Sequence, residues 1–155
     1  MDGVTDKCWF EDHQQGDRVE CASHRLSDEE IIEFAKQWDP QPWHTDPEAA
    51  KASVFGGLTA CSAHIFSVFC VTSQQWQNGK QAQVLASLGF DELRMHQPVF
   101  AGDTLTCITT VKSTRVSRSK PDQGVVVYAS ELFNQAGHAV FSADCAALVA
   151  RRPTE

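Results

Sequence analysis

No Lys, Arg, Asp or Glu lies between Lys51 and Lys80, although charged residues make up 21% of the chain as a whole. So long a charge-free stretch has to be hidden from water, in lipid or in a protein core. A membrane-crossing helix needs about 20 predominantly apolar residues. The span from Leu58 to Trp76 instead carries Thr59, Ser62, His64, Ser67, Thr72, Ser73, Gln74 and Gln75. That density of hydrogen-bonding side chains suits a helix enclosed by protein rather than by lipid. The pattern predicts one long central helix over residues 59–76, stopped by Asn78-Gly79.

The flanking segments say what encloses it. The first 15 residues are polar and read as irregular; residues 18–25 are a weak strand candidate around Val19, Cys21 and His24. Ser27-Asp28-Glu29-Glu30 is a capping-box pattern, in which the Ser27 hydroxyl and the Glu30 carboxylate satisfy free N–H groups at a helix start. Ile31, Ile32, Phe34, Ala35 and Trp38 give that helix its apolar face, and Pro40 and Pro42 end it. Asp46-Pro47 opens a further short helix ending near Ser53, and Phe55-Gly56-Gly57 is a loop. Beyond the central helix everything reads as strand: residues 84–90, 93–99, 104–116, 125–134 and 139–151, with Leu105, Cys107, Thr109 and Val111 alternating onto one face. Helices early and antiparallel strands late predict a single α+β domain over residues 1–155, its sheet covered by one long apolar helix.

Composition removes several classes of function. A chain of 155 residues with 42% hydrophobic side chains is large and apolar enough to fold as one domain. The net charge of -7 and the scattered distribution of its 13 Lys and Arg leave no footprint for nucleic acid. Cys8, Cys21, Cys61, Cys70, Cys107 and Cys145 are widely spaced, without CxxC or a Cys/His ligand cluster. Reduced thiols in a cytoplasmic protein without a metal site are therefore expected.

Chemistry concentrates in Trp38-Asp39-Pro40-Gln41-Pro42-Trp43-His44-Thr45-Asp46-Pro47. Two prolines stiffen the link between a carboxylate and an imidazole, so Asp39 and His44 sit on a restrained loop and can hold one water between them. On spacing alone, a turn-capping Asp39 and a structural His44 remain the alternative.

The stretch F-A-K-Q-W-D-P-Q-P-W-H-T-D-P-E-A-A-K-A-S-V-F-G-G-L, residues 34–58, closely resembles the signature region of the MaoC-like dehydratases, the family that includes (R)-specific enoyl-CoA hydratases. R-M-H-Q-P-V-F-A-G-D-T-L, residues 94–105, and S-R-S-K-P-D-Q-G-V-V, residues 117–126, resemble later parts of the same family. The resemblance implies a hot-dog fold, in which a curved antiparallel sheet wraps a long central helix, and a homodimer with its active site near the subunit interface. It also implies that Asp39 and His44 are the catalytic pair. The thioester oxygen would be held by a backbone N–H at the start of the central helix, here that of Ser62, with Gly57, Cys61 and His64 nearby as substrate-binding candidates. This sequence departs from the family pattern in having Gln41 where Asn is usual, Cys61-Ser62 where Ser-Gly or His-Gly is common, and Cys70 at a position that is serine in some hydratases.

The resemblance implies a hydratase/dehydratase that adds water to a trans-2-enoyl-CoA, or removes it from a 3-hydroxyacyl-CoA, with CoA or an acyl carrier protein as the thioester carrier and no other cofactor. Arg115, Arg118 and Lys120 are candidate contacts for CoA phosphates. Trp38, Trp43 and Trp76 read as core or interface aromatics, and Cys61 as a small apolar packer rather than a nucleophile. The rival readings are a hot-dog thioesterase, which would aim the same water at the carbonyl carbon, and a non-catalytic acyl-binding subunit.

Overall fold

The computed structural model describes residues 6–154. In chain order the elements are β1 (Asp6–Cys8), a single 3-10 turn (Phe10–Asp12), β2 (Arg18–Arg25), α1 (Asp28–Trp38), α2 (Pro42–Thr45), α3 (Pro47–Lys51), α4 (Ser62–Ser73), β3 (Lys80–Ala82), β4 (Val84–Met95), β5 (Thr104–Val116), β6 (Gln123–Phe133) and β7 (Ala139–Ala150). The expected alternation on β5 is present: Leu105, Cys107, Thr109 and Val111 are buried while their neighbours are not. With the matching faces of β6 and β7 they line one side of a five-stranded antiparallel sheet of order β2-β5-β6-β7-β4. Against that face lies α4, packing Ile65, Val68 and Phe69 into a core with Leu26, Ile31, Leu105, Leu132 and Phe141. Burying each such side chain contributes about 1.5–3 kcal/mol. This is the α+β hot-dog arrangement of a sheet wrapped around one helix.

Helix α4 is shorter than the predicted 59–76. Cys61 is its extended N-cap, with ψ 160°. Just before it, Thr59 bridges to Phe100, and the Ala60 N–H donates to the Val99 carbonyl. Residues 59–60 are thus drawn into strand-like pairing, which periodicity cannot reveal. At the other end Trp76 bridges Cys21. Several of the polar side chains that argue against a membrane span bond back to the helix: Thr72 Oγ1 donates to the Val68 carbonyl at 2.7 Å and Ser67 Oγ to the Ala63 carbonyl at 2.9 Å. Among the described residues no helix is long and apolar enough to cross a membrane.

Three other expectations are corrected. Residues 93–99 are no separate strand; β4 runs unbroken to Met95, with its register against β7 shifted at three places, and the chain then leaves the sheet before Pro98. The N-terminal segment is not irregular throughout. β1 pairs in parallel with β3, and the Phe10 ring fills the space over Gly124, where any Cβ would come within 2.3 Å of it; of the first 15 residues, 1–5 lie outside the described residues. Of the core-or-interface reading for the tryptophans, the core half fails for Trp38, which is 66% exposed, whereas Trp43 and Trp76 are half-buried against the core. All six cysteines are free thiols.

Candidate active site

Helix α1 starts where Ser27 Oγ accepts the Glu30 N–H at 3.2 Å. Only half of the expected capping box forms, because the Glu30 carboxylate instead accepts from His24 Nε2 at 2.7 Å. At the other end, Pro40 forces Asp39 out of the helix to φ -158°. Pro42 then occupies the first turn of α2, where its missing N–H costs nothing. This one-turn helix turns the His44 ring inward. The two prolines thus set both ends of a short link whose side chains converge, and His44 Nε2 lies 3.9 Å from Asp39 Oδ2.

That separation is too long for a direct hydrogen bond and suits a pair that shares one water. The imidazole is buried, and the carboxylate is partly open to solvent. His44 Nδ1 lies 2.6 Å from the Thr59 carbonyl oxygen. A carbonyl only accepts, so neutral His44 carries its proton on Nδ1 and presents the Nε2 lone pair toward Asp39. A cavity of about 380 Å³ opens beside the ring, lined by Trp43, His44, Phe55, Ser62, Ile65 and Met95 among others. Ser62 is the first residue of α4. The first intrahelical bond runs from the Ile65 N–H to the Cys61 carbonyl at 3.1 Å, so the N–H groups of residues 62–64 precede the helical ladder at its positive end.

The remaining predicted residues are placed differently. Cys61 is buried under the helix start and does not line the cavity. Burial, and secondarily the Asp39 charge, push its thiol up from the ordinary range, which makes it a poor nucleophile. His64 faces α1 rather than the cavity: its ring stacks on Phe34 at 4.4 Å, and Nε2 lies 3.4 Å from Glu30 Oε1. Burial lowers its pKa despite the nearby carboxylate. Gly57 packs beside the Phe100 ring outside the cavity lining. Gln41 is exposed, and its carbonyl accepts the His44 N–H at 2.9 Å, a contact that asparagine would make equally well. Arg115, Arg118 and Lys120 lie at the end of β5 and in the loop after it, whereas the cavity adjoins the segment leading into β5. The offset from Thr104 to Arg115 is roughly 35 Å of strand, and none of these cations lines the cavity.

Two groups beside the cavity are absent from the sequence reading. The Thr59 carbonyl is a backbone group supplied by a non-local contact. His96, which lines the cavity and has its Nε2 2.7 Å from Ser142 Oγ, sits inside the R-M-H-Q-P-V motif, where its imidazole is the signal in the sequence.

The MaoC-like domain model matches residues 12–131. The chain belongs to the MaoC-like family. The MaoC-like dehydratase of Rhodospirillum rubrum superposes on this MaoC-like chain with a TM-score of 0.87, at 35% identity over 95% of this chain and 99% of the other. The (R)-hydratase of A. caviae involved in PHA biosynthesis gives a TM-score of 0.68 at 25% identity, covering 91% and 98%. A Streptomyces avermitilis relative known only as a UPF0336 protein is 32% identical over 136 residues, 85% of this chain and 88% of its own.

Proposed function

We propose that this chain hydrates trans-2-enoyl thioesters, or dehydrates the 3-hydroxyacyl product, using Asp39 and His44 as its acid/base pair. The observation that carries the reading is the tautomer imposed on His44 by the Thr59 carbonyl, which aims a basic nitrogen at the space it shares with Asp39. A water bound there loses a proton to the pair as its oxygen bonds to the β-carbon. The double-bond electrons pass into an enolate whose oxygen is stabilised by the Ser62 N–H at the start of α4. The proton returns at the α-carbon. One water is consumed, no electrons are exchanged, and the thioester stays intact.

The deciding assay follows the conjugated absorbance of an enoyl-CoA while free thiol is measured in parallel. Loss of absorbance without thiol is the expected result. Thiol release with the double bond retained would make the protein a thioesterase, and no change in either would make it an acyl-binding subunit. Six free thiols, four of them buried, fit a reducing cytoplasmic setting.

The same reading includes a homodimer. β4 is an edge strand with Val84, Leu85, Leu88, Phe90 and Met95 exposed, and an unpaired apolar edge is a template for a second chain. Met95 also lines the cavity, so a copy paired along β4 would border the site. Light scattering at micromolar concentration is expected to give twice the 17.1 kDa of one chain. Leu85→Lys with Leu88→Lys is expected to give monomers; a wild-type monomer would contradict the pairing.

A further inference from the structure

Helices α1 and α4 carry the two halves of the proposed chemistry: Asp39 is the C-cap of α1, and Ser62 begins α4. Ile31 of α1 shares the core with Ile65 and Val68 of α4. Apolar burial is non-directional, however, and does little to fix the rotation or slide of one helix against another. Among the described residues, the directional contacts between α1 and α4 run through one side chain, His64. Its ring lies 5° from parallel to the Phe34 ring. Its Nε2 approaches the same Glu30 oxygen that His24 Nε2 of β2 meets at 2.7 Å, so the carboxylate is held from the sheet while it faces α4. Phe34 stands five residues before Asp39, about 7.5 Å of helix rise, and His64 two residues after Ser62, about 3 Å.

An imidazole is a poor choice here for packing alone. His64 is 3% exposed, and burial lowers its pKa, so the ring is neutral at neutral pH. A carboxylate oxygen only accepts, which assigns the one ring proton to Nε2. Nδ1 is left buried without a hydrogen-bond partner. A leucine would fill the same space and leave no polar atom unmatched. A buried polar atom without a partner destabilises a fold and marks a position that serves something besides stability.

We infer that His64 is a positioning residue, which fixes the start of α4 against α1 and so sets the Ser62 N–H at its working distance from Asp39 and His44. The inference rests on the hydratase reading above. His64→Leu keeps the bulk of the side chain and removes both nitrogens. It is expected to fold with an unchanged or higher Tm and to lower kcat for a 2-enoyl-CoA about 10- to 100-fold with KM within about twofold, since a misplacement of roughly 1 Å can cost about 100-fold. A packing role alone gives the reverse pattern, a lower Tm with kcat kept. Phe34→Leu, which removes the stacked ring from the α1 side, is the second variant should the first fold poorly, and is expected to lower kcat in the same way. In a Ser62→Pro background His64→Leu should slow turnover by less than about twofold more, because the group it positions is already gone. Wild-type kcat in these folded variants would overturn the inference, as would a full, independent loss in the Ser62→Pro background.

The fastening is also read without turnover. Glu30→Ala removes the contact from α1, far in sequence from Ser62, and is expected to lower the NMR order parameter of the Ser62 N–H when His64 is present but not when His64→Leu is already in place. An unchanged order parameter would overturn the inference. A lowered one in a protein that hydrates no enoyl-CoA would support the fastening and sink the hydratase reading alone.

Discussion

His44→Ala and Asp39→Asn are each expected to lower enoyl thioester hydration by about 100- to 10,000-fold, the usual cost of removing a positioned acid or base. The fold should survive both. Asp39 is partly open to solvent, and among the described residues its side chain makes no hydrogen bond, its nearest partner being His44 at 3.9 Å. His44 is buried, but the partners it leaves behind are the Thr59 carbonyl oxygen and Oγ1, beside a cavity already large enough to admit water. The two losses should also be strongly non-additive. If one water must be held by both groups, either substitution alone removes the shared site, and the double variant should be scarcely slower than the worse single one. Near wild-type turnover in both singles, with circular dichroism unchanged, would leave the acid/base assignment without support.

Ser62→Pro is the second substitution expected to have a large effect, and the local backbone makes it unusually clean. Proline is well tolerated in the first position of a helix, where the N–H has no intrahelical partner. The residue before proline must be extended, and Cys61 already is, at φ -73° and ψ 160°. The helix should therefore form normally while losing the N–H proposed to hold the enolate oxygen, its hydrogen replaced by the ring Cδ and the hydroxyl also lost. Loss of one such donor costs on the order of 100- to 1,000-fold in kcat. Ser62→Gly is the control: it keeps the N–H, removes only the hydroxymethyl group and should remain active. Activity retained in Ser62→Pro, or lost in folded Ser62→Gly, would point away from a backbone donor; in the second case an acyl adduct on Ser62 in the parent protein, seen by mass spectrometry, would identify a nucleophile instead.

What could be read from the sequence was local in origin. Two prolines and a fixed spacing bring Asp39 and His44 together, and the alternation in β5 announces its buried face, because each depends on neighbours in the chain. The ends of α4 were misjudged because Thr59, Ala60 and Trp76 are claimed by strands far away in sequence. The continuity of β4 was missed because register shifts break the alternation that marks a strand. Arg115, Arg118 and Lys120 show the same limit on a larger scale: a loop can be recognised in the sequence without revealing how far along a thirteen-residue strand it lies from the cavity. Cys61 and His64 are next to Ser62 in sequence, yet a helix start points successive side chains in different directions, and only Ser62 reaches the cavity.

The contact between His44 and the Thr59 carbonyl ties the imidazole to a turn outside the cavity lining. Thr59 is held by its bridge to Phe100, and the Ala101 N–H donates to the Leu58 carbonyl at 3.0 Å. Asp103 organises that turn, accepting the Phe100 N–H at 2.9 Å and a Gln135 side-chain N–H at 2.9 Å. The segment around Phe100 and Asp103 therefore acts as a remote selector of protonation geometry. It dictates which nitrogen of a histidine more than fifty residues earlier bears the hydrogen, and so whether that ring approaches water as a base or as a donor.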